Sequence, residues 1–444
     1  MTGFLVVLLV LGGAGRRIHE GYAGLLDADS MIRATALLSG AADRSIPVTL
    51  VSIDDETRAK WGNPVITPHA AVAELIKLAR TKGATSILVD IDLSSDNPSR
   101  SAADPDLYNE IAHYPADGPI LMLVRNIRYR GEQTQAGHQR FVADSVRPTP
   151  YDHVVEETGK AVWVNAVTLF ENDRVARRVQ LWQSVCEGSG GTAYGSPALY
   201  VAAAASGDPA RPAGIPAFLE SRVKSDCGNA EPPPPTWPAR NNPTVHVQYM
   251  FGAGSDEGSP TMIEAAGKRV PLFRNIAAWT IVSVAGDRIE PVGDIDASPF
   301  KDRAALIGVT HADSRDVNAT PLGSQPGVLI LANSVAGART LTDMPEMSKM
   351  TESIIVASLF VLFAYLAAKL HLLIATLLVG AGSVAALMIL SRMSGFDAAQ
   401  QVLAITILLV VLHRLVDAVA GIIYDWNTGK GWRALLKPKV DVEL

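Results

Sequence analysis

The sequence predicts a membrane-anchored α/β protein. It reads as one folded domain on a mixed sheet with βαβ units, a three-helix transmembrane bundle behind it, and a short membrane helix ahead of it. Three observations carry this prediction. Runs 353–368, 372–391 and 396–412 are apolar with almost no charge, and each is about as long as a helix must be to cross a bilayer core. The segments VTLVSI and SILVD, Val48–Ile53 and Ser86–Asp90, are short apolar runs of the kind buried on both faces of a sheet. Between them Val72, Leu75, Ile76 and Ala79 fall at i, i+3, i+4 and i+7, the spacing of a core-facing helix.

In chain order, residues 3–13 (GFLVVLLVLGG) are apolar but short for a span, and Arg16 and Arg17 follow at once. No basic stretch precedes them as in a signal peptide, so they read as a signal anchor. Residues 18–42 read as a helix leaving the membrane, with Leu25, Leu26, Met31, Ile32 and Leu37 set between charges. After the first strand, Thr67 is placed to cap a helix whose first residue is Pro68. Lys77, Arg80 and Lys82 complement that helix's C-terminus, and Gly83 stops it. Ser86–Asp90 completes the βαβ unit. Further strands are expected at 119–124, 161–165 and 304–308, with edge or antiparallel strands at 175–185 and 245–249. A helix over 326–337 leads back towards the membrane. The Gly-rich stretch 187–196 and the Pro-rich stretch 228–243 are expected as loops.

The boundaries that follow are 1–42 for the anchor and connecting helix, 43–345 for the folded domain, 353–413 for the bundle and 414–444 for a juxtamembrane helix with a basic tail. About 300 residues suffice to bury a core. A net charge of −6, with no Lys/Arg-rich run or aromatic platform, excludes nucleic acid as the expected partner. Lys430, Arg433, Lys437 and Lys439 in the tail, with Lys369 in the first hairpin, are cytoplasmic by the positive-inside rule, which puts the folded domain outside. Cys186 and Cys227 both lie in that domain. In an oxidising compartment they would close a loop of about 40 residues and contribute roughly 3–4 kcal/mol; two buried thiols are the alternative.

In open α/β sheets ligands bind beyond the carboxyl ends of the strands. Asp54, Asp55 and Glu56 follow the first strand, Asp90 and Asp92 end the second, and His311 and Asp313 follow 304–308. His69 opens the helix near Asp54. These acids and imidazoles could hold a divalent cation or a cationic small molecule, or they could serve only as helix caps and loop acceptors. No HExxH, CxxC or GxSxG occurs where its mechanism would need it, so no catalysis, metal or cofactor is expected. His413, Arg414 and Asp417 sit at the inner end of the last span, as a relay or docking point or as residues reaching the interface.

The residues from Ser52 onward resemble the CHASE2 family, the extracytoplasmic sensory domain of bacterial receptors. The matching pieces are Ser52-Ile-Asp54-Asp55-Glu56-Thr57, Pro68-His69-Ala70, Gly83-Ala84, Ile87-Leu-Val-Asp90-Ile-Asp92 and Asp104-Pro-Asp106-Leu. Beyond these come Val164-Asn165, Ser196-Pro-Ala-Leu199, Ala305-Leu-Ile-Gly308-Val-Thr310, Asp316, Thr320-Pro321, Pro326-Gly327-Val and Ala332-Asn333. The family's Trp-Pro-Trp-Pro-Arg stretch is here Asn63-Pro-Val-Ile-Thr67. The resemblance implies a periplasmic domain followed by three spans in a bacterial inner membrane. Family members usually continue into a cyclase or kinase, and the twenty residues after Tyr424 are too few for either. The expected function is therefore detection of an extracytoplasmic signal, passed through the bundle to a separate cytoplasmic or membrane partner. The alternative is a non-sensing assembly subunit of a membrane complex. Besides the lipid bilayer, a periplasmic small molecule and a second copy of the chain remain open as partners.

Overall fold

The computed structural model describes residues 45–94, 103–133, 139–170, 174–187, 190–208, 210–227, 244–252, 261–265, 267–286, 288–294, 296–339 and 358. The chain divides into two compact units, and the larger, Asp27–Pro345, holds the sheet. Among the described residues no helix is long and apolar enough to cross a membrane. The expected anchor, the three spans (but for residue 358) and His413, Arg414 and Asp417 lie outside the described residues.

Six strands form the central sheet: β1 (Val48–Ile53), β2 (Ser86–Asp90), β3 (Ile120–Val124), β4 (Ala161–Val164), β5 (Phe273–Ala277) and β6 (Ala304–Val309), in the order β5-β1-β6-β2-β3-β4. Every pairing is parallel. The sheet is thus parallel throughout rather than mixed, as suits apolar runs that must be covered on both faces. The expected βαβ unit is also modified: β6 separates β1 from β2 and pairs with both. A strand from the far end of the sequence therefore sits at the centre.

The helices are α1 (Asp55–Lys60), α2 (His69–Thr81), α3 (Pro105–Ala112), α4 (Asp152–Thr158), α5 (Pro197–Ala205), α6 (Ala210–Asp226) and α7 (Gly327–Ala336). Alternation along the strands sends Val51, Ile53, Ile87, Val89, Ala305 and Ile307 into one core with the α2 stripe and Leu107 and Ile111 of α3. The α2 stripe is buried as expected, but its start differs. Pro68 occupies the cap position without a side-chain hydrogen bond, so Thr67 does not cap the helix. Gly83 follows the helix with φ +89°, a conformation open to glycine at little cost.

The other face belongs to α7, buried from Val328 to Ala336 and packed on β1 and β6. A helix apolar on all sides must be enclosed, not amphipathic. Leu50, Leu88 and Leu306 are buried beneath this layer. Contact is closest at Gly308, where a Cβ would stand 2.5 Å from Val328 Cγ2 and 3.0 Å from its Cβ. Replacing Gly308 with Ala should therefore cost about 1–3 kcal/mol through overpacking. Urea unfolding of the full chain checks this, and the added Val328→Ala should recover part of the loss. Asn333 is fully buried: its Oδ1 accepts from the amides of Met250 (2.8 Å) and Phe251 (3.2 Å), and its Nδ2 donates to Phe251 O (3.0 Å). One amide side chain thereby ties the segment beside it to α7.

Antiparallel strands form separate ribbons. The expected strand 175–185 breaks at Leu181 into Ala176–Gln180, which pairs with Thr168–Phe170 and Thr244–His246, and Trp182–Glu187, which pairs with Gly190–Gly195. The stretch 187–196 is accordingly not a loop but largely a strand. Its glycines permit close approach: a side chain at Gly191 would collide with the Val185 carbonyl. The partner strand carries Cys186 as its next-to-last residue, and this is bonded to Cys227 just after α6 with Cα atoms 5.3 Å apart. The Pro-rich stretch 228–243 lies outside the described residues.

Candidate functional site

The register Ser52–Gly308–Asp90 aligns the carboxyl ends of β1, β6 and β2 on one rim, where the sequence placed its candidate residues. Most of the acids there are engaged by the protein itself. Asp54 caps α1, its Oδ1 accepting from Thr57 N at 2.7 Å. Asp55 Oδ1 accepts from Ala312 N at 3.3 Å, and Arg58 forms an ion pair with Asp313. The exit loops of β1 and β6 are thus laced together. The Arg58 guanidinium holds the Asp313 carboxyl below the usual carboxylate range. Asp313 is largely exposed, so this pair contributes little stability. Asp92 Oδ1 accepts from Ser94 N at 3.0 Å, and its other oxygen lies 3.9 Å from Arg147.

His69 is held by aromatic packing. Its Nδ1 is 2.9 Å from the Tyr151 hydroxyl, which accepts from Asp104 N at 3.0 Å. Tyr151 is fully buried, so the three join the starts of α2, α3 and α4. His311 is half-buried in the turn after β6, and among the described residues its Nδ1 has no hydrogen-bond partner.

Asp90 differs from all of these. Its side chain shares the α7 face with Leu88, beside Gly308 in the adjacent strand. A Cβ on Gly308 would lie 3.4 Å from Asp90 Cβ. Burial, and then the nearby Asp316 carboxylate, push the Asp90 carboxyl up to about 7. Asp316 lies where the chain returns to α7. Its backbone carbonyl accepts from Gly327 N at 2.9 Å and its Oδ1 accepts from Asn318 Nδ2 at 3.0 Å. Any side chain at Gly327 would strike the Asp316 carboxylate. Two glycines, 308 and 327, therefore let the first turn of α7 pack against the strand beside Asp90 at one and against the Asp316 carboxylate at the other.

Sequence reasoning named Asp90 but not its partner. Asp316 stood out only as a motif residue, and nothing in local spacing pairs it with β2. Arg58 was likewise missed, as was Arg125 at the end of β3, which forms a two-pronged ion pair with Asp152 and lies 4.8 Å from the Trp163 ring centre. Among the described residues no three or more His, Cys, Asp or Glu side chains are grouped as a metal ion would require.

In a parallel α/β sheet covered on both faces, the carboxyl rim where these polar residues gather is where ligands commonly bind, and the fold by itself assigns no function. The profile of the CHASE2 domain matches residues 2–368, and the chain belongs to the CHASE2 family, whose domains are extracytoplasmic and sensory. No curated protein and no solved structure matches the chain.

Proposed function

We propose that the chain is a bacterial inner-membrane sensor. Its CHASE2 domain lies in the periplasm, detects a signal at the carboxyl rim of the sheet, and passes the response through α7 and the transmembrane bundle to a separate partner protein, without catalysing a reaction itself. The observation that carries this reading is the CHASE2 match over residues 2–368. It is supported by α7, which packs directly on β1 and β6 and leads towards the predicted spans. A ligand that favours one seating of α7 shifts the population of that seating, and only by its differential affinity for the two.

The test is to compare the full chain with one lacking 414–444 in cells, by cross-linked co-purification and by phenotype. The expected result is a partner recovered with the full chain and lost, together with the phenotype, on truncation. Recovery of no partner, with no effect of truncation, would overturn the transduction step.

A specific observation favours a second reading, an assembly subunit that binds no small ligand: Asp54, Asp55, Asp92 and Asp313 are occupied by internal contacts. A thermal-shift screen of the full chain separates the two, because a ligand that binds only the folded state raises its stability. Repeated stabilisation by small molecules supports sensing, and its absence across a broad screen supports the assembly role.

A further inference from the structure

Between β6 and α7 the chain makes a two-stranded ribbon, Val317–Thr320 against Gly323–Pro326, with Asn318 directly opposite Gln325. Opposite residues share a face, so alternation puts Asn318, Thr320 and Gln325 on one side and Val317 and Ala319 on the other. The apolar side is the one in solvent. Val317 is 52% exposed and Ala319 is exposed, whereas Thr320 and Gln325 are buried. A ribbon that served only to bury apolar surface would face the other way.

Gln325 is 1% exposed, and among the described residues neither its Nε2 nor its Oε1 has a hydrogen-bond partner. Its neighbours on the ribbon are satisfied locally. Asn318 Nδ2 donates to Asp316 Oδ1, and Thr320 Oγ1 donates to Gly323 O at 2.7 Å and accepts from Leu322 N at 3.1 Å. Facing the Gln325 amide is the end of the segment that Asn333 fastens to α7 through Met250 and Phe251. The next residue is Gly252, where a Cβ would stand 3.1 Å from Gln325 Nε2. The glycine thus leaves a small space against the amide that a side chain would crowd.

We propose that Gln325, beneath Gly252, anchors a binding site for a small neutral molecule that carries an amide group. This rests on the sensory reading and gives its signal a place and a chemistry. The ribbon continues from the carboxyl end of β6, so the site belongs to the same rim.

Buried polar groups are normally paired, and an unmet donor or acceptor carries its full desolvation penalty. A ligand that supplies both bonds removes that penalty at Gln325. A carboxamide presents donor and acceptor in one plane, and a second amide is its complement. The ligand carbonyl accepts from Nε2, and the ligand N–H donates to Oε1. A charged ligand would leave water with no counter-charge from Gln325, which costs far more. Pro326 and the first turn of α7 follow Gln325 at once, so an occupant braces the start of that helix. Binding therefore favours one seating of α7, by the difference in affinity between the two.

The experiment is thermal unfolding of the full chain in lipid nanodiscs, followed by tryptophan fluorescence. The probes are propionamide, propionate and propylammonium, alike in size and different in charge. Propionamide should raise the unfolding temperature by about 2–4 °C at about ten times its Kd, and the two ions should not. Gln325→Met, which keeps the length and removes the amide, should abolish the shift. Gly252→Ala keeps the amide and takes the space, so it should abolish the shift too, and it keeps the test decisive if Gln325→Met folds poorly. No shift in the wild type, a shift from an ion instead, or a shift kept in either variant overturns the site. The amide would then be met by a buried water only, and the sensory reading would stand. If the shift is lost in both variants but cells carrying Gln325→Met keep the wild-type phenotype, the site stands and the sensory reading falls.

Discussion

Replacing Arg303 with Met is expected to lower the stability of the domain by roughly 2–4 kcal/mol, seen as a lower urea midpoint for the full chain by tryptophan fluorescence. Arg303 begins the central strand region and is only 3% exposed. Its Nε donates to Thr49 Oγ1 at 2.8 Å, and its terminal nitrogens donate to Pro271 O at 2.7 Å, Val48 O at 2.5 Å and Leu272 O at 3.2 Å. None of these acceptors is a carboxylate, so the charge is solvated by backbone carbonyls and a hydroxyl from two distant parts of the chain, Val48–Thr49 and Pro271–Leu272. Burial pushes this guanidinium down to about 10, which still leaves it protonated near neutral pH. Met fills much of the volume but removes the Arg303 donor from three carbonyls and a hydroxyl; Leu272 O keeps the Val48 amide and Thr49 keeps its bond to Pro299 O, so the desolvation penalty falls mainly on Val48 O and Pro271 O. Lys keeps the charge but cannot present a planar fork to four acceptors, so Arg303→Lys should fall between wild type and Met. A midpoint unchanged by Arg303→Met would show that β1, β5 and β6 are held by their ladders alone.

Arg303 also marks where sequence reading stops. β1, β2, β3, β4 and β6 are continuous apolar runs, and such runs announce themselves. β5, FRNIA, does not: it lies at the sheet edge and carries Arg274 and Asn275, a pattern indistinguishable from a polar connection. The insertion of β6 between β1 and β2 was equally hidden, because order in the sheet depends on contacts between residues some 250 positions apart. The rim acids followed from strand ends alone, and they do gather on one rim. Their partners did not follow: Arg58 with Asp313 and Asp55 with Ala312 N join distant turns. The unusual state of Asp90 was the least accessible of all. It requires Gly308 and Gly327 to admit α7 to the rim, and a glycine in a strand or at a helix start signals close approach without naming what approaches.

The disulfide yields the other large effect. The Cys186→Ser, Cys227→Ser double variant should lose roughly 3–4 kcal/mol on the loop-closure estimate for a bridge of this span. The loss should not spread evenly. Cys186 lies next to the end of Trp182–Glu187 and Cys227 follows α6, and that helix packs on both strands of the hairpin. Trp182 and Phe218 meet edge to face at 5.4 Å, with the Arg222 guanidinium 4.9 Å from the Trp182 ring centre, so an apolar contact still holds α6 when the covalent one is gone. Local opening of α6 should therefore precede global unfolding. Limited proteolysis should cut the variant near residues 222–227 under conditions in which the central sheet remains intact. If cleavage instead began in the sheet, the hairpin and α6 would be integral to the core rather than a fastened appendage. The same bond bears on sidedness, because it persists in an oxidising compartment and not in the reducing cytosol. A membrane-impermeant thiol reagent applied to intact spheroplasts after mild external reduction should label both cysteines, and labelling confined to lysed cells would place the domain on the other side of the membrane.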